Sequence, residues 1–176
     1  MGWTNSKWRT FLGAIFGVTL FVLPACTVSY KFNSASIDYT KTKTIQIDNF
    51  PIRSAYVWGP MQSIFQNRLT DIFSSRTKLK LVKRGGDLQL AGEITGFDQF
   101  NKGIAADGYS SQVQLKMTVN VRYTNNVKQN ESFERQFTAT AEYDATQQLT
   151  AVQEELVTQM VKDITDQIFN NTVANW

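Results

Sequence analysis

Between Gln112 and Tyr123 the chain alternates without a break: Val113, Leu115, Met117, Val119, Val121 and Tyr123 stand against Gln112, Gln114, Lys116, Thr118, Asn120 and Arg122. A period of two scatters apolar side chains around a helix, but on a pleated strand it sends all six to one face. A strand this long with one apolar face needs a cover over that face, and water or a polar partner on the other. The pattern repeats in Phe133, Phe137, Ala139, Ala141 and Tyr143, opposed by Glu134, Gln136, Thr138, Thr140 and Glu142, with "NNVKQN" as a polar hairpin loop between the two runs. Arg135 breaks the apolar register of the second run, which places it past the end of the covering layer or sets it toward a partner.

What does the covering is legible on either side of these strands. Met61, Ile64, Phe65, Leu69, Ile72 and Phe73 recur at three- and four-residue spacing, an apolar helical stripe opened by Gly59-Pro60. Leu149, Val152, Leu156, Met160, Ile164 and Ile168 form a second, longer stripe, widened by Val157, Val161 and Phe169 and preceded by Asp144 and Gln147 at capping-box spacing. At 1.5 Å per residue the second helix is roughly 35 to 40 Å long. Short strands are expected in "KTIQIDNF" before the first helix, where Ile45 and Ile47 alternate with Thr44, Gln46 and Asp48, and at "LKLV" after it, which makes them parallel neighbours. The turn "KRGGD" leads into a further strand, "DLQLAGEITGF", with Leu88, Leu90 and Ile94 on one face and Gly92 and Gly96 suited to a bulge or a close backbone approach. "NKGIAADG", Asn101 to Gly108, reads as a long loop of small residues. The sum is an α+β fold: a two-layer sandwich of a mixed four- to five-stranded sheet with two helices on one face.

The N-terminus obeys different rules. "FLGAIFGVTLFVLPAC" is apolar on every side of a helix, follows Lys7 and Arg9, and is shorter than the roughly 20 residues that a membrane span needs before Pro24 interrupts it. That layout is a secretory signal. Leu23-Pro24-Ala25-Cys26 resembles a bacterial lipobox, although proline is a less common residue in the variable slot. The resemblance implies cleavage before Cys26 and acylation of its thiol. Two or three acyl chains hold a protein stably on a membrane surface where one does not. Thr27 stands where lipoproteins kept in the inner membrane often carry Asp, so the expected destination is the outer membrane. We therefore expect a lipoprotein signal peptide over 1–25, a lipidated tether over 26–42, and the sandwich domain over 43–176.

Processing also changes the charge. The chain carries a formal +3 and a pI of about 9.0, but residues 1–25 hold two of the 18 basic residues and none of the 15 acidic ones, leaving +1. The case for nucleic acid goes with them. There is no histidine, which excludes Ser-His-Asp and Cys-His catalysis and the His-containing zinc motifs. The sole cysteine, once acylated, is no redox or nucleophilic thiol. No paired acidic motif suggests a carboxylate enzyme, so we expect no enzymatic activity, no metal, and no cofactor beyond the covalent lipid on Cys26.

Order and motifs together resemble the LPS-assembly lipoprotein family, the LptE type, in its Bacteroidota-like form. The residues that carry the likeness are "KTIQIDNFPIRSA" (Lys43 to Ala55), "FQNRLTDIF" (Phe65 to Phe73) with "TKLKLV" after it, and "GDLQLAGEITGF" (Gly86 to Phe97). The resemblance implies an outer-membrane lipoprotein that plugs the lumen of a large β-barrel, LptD, from the periplasmic side and assists delivery of lipopolysaccharide to the surface, touching that lipid itself. Phosphates and carboxylates of lipopolysaccharide call for Lys or Arg on a rigid element. Lys78, Lys80, Lys83 and Arg84 form the densest basic run, with Arg53 and Arg135 as further positions; a basic edge strand that discourages unwanted pairing is the weightier explanation of the run. The competing reading is a lipoprotein that activates a cell-wall synthase or scaffolds a secretion channel.

Overall fold

The computed structural model describes residues 37–102 and 112–173. The leader 1–25, Cys26, the first part of the tether and residues 103–111, which take in the expected loop except Asn101 and Lys102, lie outside them.

The order is β1 (Thr44–Ile47), α1 (Gly59–Arg76), β2 (Lys80–Val82), β3 (Leu88–Lys102), β4 (Gln112–Asn125), a 3-10 turn (Gln129–Glu131), β5 (Phe133–Asp144) and α2 (Leu149–Thr172). One five-stranded sheet runs β2-β1-β3-β4-β5. β1 is parallel to β2 and to β3, while β3, β4 and β5 form an antiparallel meander. The α+β sandwich expected from the alternating strands is thus observed.

The core lies on one side of the sheet. Val113, Leu115, Met117, Val119, Val121 and Tyr123 of β4 are all buried, as are Met61, Phe65, Leu69, Ile72 and Phe73 of α1 and the Leu156-to-Phe169 stripe of α2. Fully burying one such side chain contributes about 1.5–3 kcal/mol. Phe73 and Phe169 meet at 5.4 Å and Arg76 reaches Asp166 at 3.1 Å, joining the helices. α1 stops where Thr77 donates its hydroxyl to the Phe73 carbonyl at 2.6 Å and accepts from the Leu79 amide at 3.1 Å, freeing the chain to enter β2.

Both glycines of β3 have structural work. A Cβ on Gly92 would lie 2.2 Å from the Asn120 carbonyl oxygen and 2.5 Å from the ring of Phe50. Phe50 is fully buried there and packs on Phe65 at 5.1 Å. The pairing of β3 with β4 slips by one residue between Ile94 and Gly96, a bulge.

Two local expectations change. β3 runs five residues beyond Phe97, to Lys102, pairing there with the start of β4. Asp144 does not cap α2: its carboxylate accepts from the Thr146 amide and hydroxyl at 2.8 and 2.6 Å, closing a tight turn, and the helix begins only at Leu149 after Gln148. An Asx turn uses the same carboxylate that a helix cap would need.

Candidate functional site

β2 is one rim of the sheet and is three residues long. The Lys80 amide donates to the Lys43 carbonyl at 2.8 Å, and Lys80 stands beside Thr44. Leu79 turns into the core, so Lys78 and Lys80, two apart, share the opposite face. The strand then leaves through Lys83 and Arg84 into Gly85, which adopts φ +70°. Its neighbour Gly86 is pressed so closely on β1 that a Cβ would sit 2.6 Å from the Gln46 amide nitrogen. Lys78, Lys80, Lys83 and Arg84 are all exposed, and no salt bridge engages them among the described residues. Asp87 follows directly, but its carboxylate is turned back onto β1, accepting from the amides of Lys43 and Thr44 at 2.8 and 3.0 Å and from the Thr44 hydroxyl at 2.9 Å. Those bonds, the Lys43 amide first, hold its pKa below the ordinary carboxylate value. What remains is a short rim of point charges on a pinned turn, a pattern suited to phosphate oxygens.

The other two arginines stand elsewhere. Arg53 lies on the segment beside Ile94, its Nε 3.8 Å from Glu93. Arg135 is on β5, at the opposite rim, four strand spacings from β2, or about 19 Å. Its guanidinium donates to Asn171 Oδ1 at 2.6 Å and stacks over Phe133 at 5.4 Å. The residue that breaks the apolar register therefore faces the last turn of α2, where a cation meets the negative end of the helix. Of the six expected positions, the fold gathers Lys78, Lys80, Lys83 and Arg84 and leaves Arg53 and Arg135 apart.

Arg135 also borders a cavity of about 400 Å³, which Ile37 and Thr42 flank where the chain enters the domain. Tyr123 and Leu88 line it as well. Burial, reinforced by Glu131 and opposed by a hydrogen bond with Asn125, pushes the Tyr123 hydroxyl up to about 12. Lys128 and Glu131 face the space but pair with each other at 3.0 Å. Apart from the misplaced register of Arg135, nothing in the sequence announces this cavity, because its walls come from separated segments.

Among the described residues no helix covers the second face of the sheet. Two of its carboxylates are matched across strands: Glu134 accepts from Asn120 and Arg122 at 3.0 and 3.1 Å, and Glu142 from Lys102 and, at 3.1 Å, from Gln114. Asn120 is the main reason that the Glu134 pKa is lowered, and Lys102 the main reason for Glu142. Between them lie Thr118, Thr138, Thr140, Gln136 and Lys116, giving a face of hydroxyls, amides and mixed charges.

A family model described as LptE, lipopolysaccharide-assembly, matches residues 42–172. Among solved structures, lipoprotein B from Nitrosomonas europaea is similar at 18% identity, with 76% of this chain and 83% of that chain covered and a TM-score of 0.51. A hypothetical protein from Chlamydia trachomatis is similar at 11% identity over 76% and 99% of the two chains, TM-score 0.52. A protein from Xanthomonas campestris is similar at 15% identity over 73% and 84%, TM-score 0.53. At these identities the three structures speak for the fold alone. No curated protein matches the sequence.

Proposed function

Since the chain belongs to the LptE family of lipopolysaccharide-assembly proteins, we propose that it is an outer-membrane lipoprotein, anchored through acylated Cys26, that plugs an LptD-type β-barrel and assists lipopolysaccharide on its way to the surface. The role is binding and assembly, without catalysis. The observation that carries the lipid part is the β2 rim: Lys78 and Lys80 at the strand and Lys83 and Arg84 at the turn after it are exposed, with no salt-bridge partner among the described residues. The phosphates and carboxylates of lipopolysaccharide are anions of the kind that such a rim can hold. Arg53 and Arg135, already held by Glu93 and Asn171, are secondary. The face that no described helix covers supports the plug, since its hydroxyls, amides and mixed charges suit the polar lumen of an outer-membrane barrel.

Affinity purification of the intact lipoprotein from outer membrane in mild detergent tests the reading. We expect a very large β-barrel to accompany it, and depletion of the protein to lower surface lipopolysaccharide. Recovery of the lipoprotein alone, with surface lipopolysaccharide unchanged, overturns it. Replacing Lys78, Lys80, Lys83 and Arg84 with Ala should lower binding of purified lipopolysaccharide at least tenfold without loss of fold.

A further inference from the structure

The two rims of the sheet are finished differently. Near β1, the Asp48 amide donates to the Leu90 carbonyl and the Arg53 amide to the Ile94 carbonyl, each at 2.8 Å, so even-numbered residues in the first part of β3 direct their backbone groups away from β4. The odd residues Gln89, Ala91 and Glu93 therefore bond β4 through their partners Thr124, Arg122 and Asn120. By the alternation of an antiparallel ladder, Val119, Val121 and Tyr123 then bond β5 through Phe137, Arg135 and Phe133. Beyond the bulge the Thr95 hydroxyl reaches the Thr118 carbonyl at 3.4 Å, in agreement. It follows that Glu134, Gln136, Thr138, Thr140 and Glu142 aim their N–H and C=O groups outward from the sheet. Among the described residues one of these groups has a protein partner: the Thr138 carbonyl accepts from Gln167 Nε2 at 3.1 Å.

An open rim of this kind invites another strand, and folded proteins normally shorten it, charge it, bend it or cover it. β2 is shortened to three residues and charged by Lys80, with Lys78 and Lys83 flanking it. β5 has twelve residues, keeps an unbroken register with β4, and from Gln136 to Ala141 contains neither charge nor proline. Its acidic ends, Glu134 and Glu142, are neutralised by Arg122 and Lys102 on the face of the sheet.

We propose that β5 is a docking rim to which an extended segment of the partner barrel adds as a sixth strand, matched to Glu134–Glu142 and uncharged at its centre. Strand addition of this kind takes its affinity from main-chain hydrogen bonds. A second copy of this chain is the poorer occupant: a two-fold antiparallel pairing centred on Thr138 sets Glu134 opposite Glu142 twice, and because Arg122 and Lys102 lie behind them on β4 and β3 the carboxylates meet directly, like charges that destabilise a ladder. The proposal rests on the barrel reading for the identity of the strand donor.

The experiment uses the full lipoprotein in its own membrane, as Gln136→Pro and Thr140→Pro variants. Both prolines remove an outward N–H and leave the β4 ladder untouched. Wild type should recover the barrel and each proline variant at least tenfold less, with melting temperatures within a few degrees of wild type. A photo-crosslinking residue at Thr138 should give an adduct with the barrel. If either proline unfolds the chain, this crosslink decides. Barrel recovered equally by folded proline variants, or a Thr138 adduct only with a second copy or with nothing, overturns the docking rim and leaves the barrel reading standing. Absence of the barrel from wild type overturns both.

Discussion

Removing the Asp87 carboxylate, as Asp87→Ala, should unpin β1 from the start of β3. The oxygen Oδ2 accepts three hydrogen bonds, from two successive amides of the entering chain and from the Thr44 hydroxyl, and Thr44 Oγ1 accepts one back from the Asp87 amide at 2.9 Å. A hydrogen bond to a charged group is worth about 1.5–3 kcal/mol, less where water replaces it. The site is half-buried, so we take about 1 kcal/mol for each of the three and expect a loss near 3 kcal/mol for Ala. Asn, which keeps an acceptor but no charge, should cost about 1–2 kcal/mol. In a domain of this size 3 kcal/mol lowers the melting temperature by about 6–12 °C. The dependence on pH has a fixed sign. The folded pKa of Asp87 lies below its unfolded value, so its contribution is present above about pH 4 and is lost as pH falls through the folded value. Asp38, Glu134, Glu142 and Asp144 are lowered as well, so wild type alone cannot isolate the effect. The difference between wild type and Asp87→Ala in urea unfolding, followed by circular dichroism at pH 7 and pH 2.5, does. It should shrink in acid. A difference under 1 kcal/mol at pH 7, or the same difference at both pH values, refutes the reasoning.

Gly92→Ala should destabilise by about 3 kcal/mol or more, since the new methyl meets the Asn120 carbonyl as well as the Phe50 ring; adding Phe50→Leu should restore only part, and full recovery in thermal melts would show that the backbone approach is not limiting. One tyrosine should titrate near pH 12 in the folded chain by ultraviolet absorbance, and Tyr123→Phe should remove that step. Because this pKa is raised, its stabilisation is complete below pH 10 and declines as pH climbs through the folded value. Cys26→Ala should abolish palmitate labelling in cells; persistent labelling would end the lipobox assignment.

The meander was legible because β4 and β5 keep strict alternation, and the helices because their stripes hold over several turns. β3 was read short for a physical reason. Leu88, Leu90 and Ile94 point inward on even numbers, the bulge removes one residue from the ladder, and Phe97 is inward on an odd number while Phe100 is exposed. A phase slip erases a period-two signal without ending the strand. Asp144 misled because one carboxylate serves an Asx turn or a helix cap, and sequence does not say which. The basic run of β2 was visible as four neighbours in the chain. The division between Arg53, Arg135 and that run was not, since it depends on the strand order, and neither was Phe50, a loop residue whose burial depends on Gly92 across the core.

β3 and β4 form a ribbon of 15 and 14 residues, roughly 50 Å from end to end if fully extended. The described chain enters beside Asp87, at the end where β3 begins and β4 finishes, and Ile37 packs against the core there. The connection between β3 and β4 is at the other end. An apolar belt of an outer-membrane barrel is only about 25 Å tall. In the proposed plug, with the entry point anchored at a bilayer leaflet, the ribbon outreaches that belt, and its far tip and near end would stand at different levels of the pore.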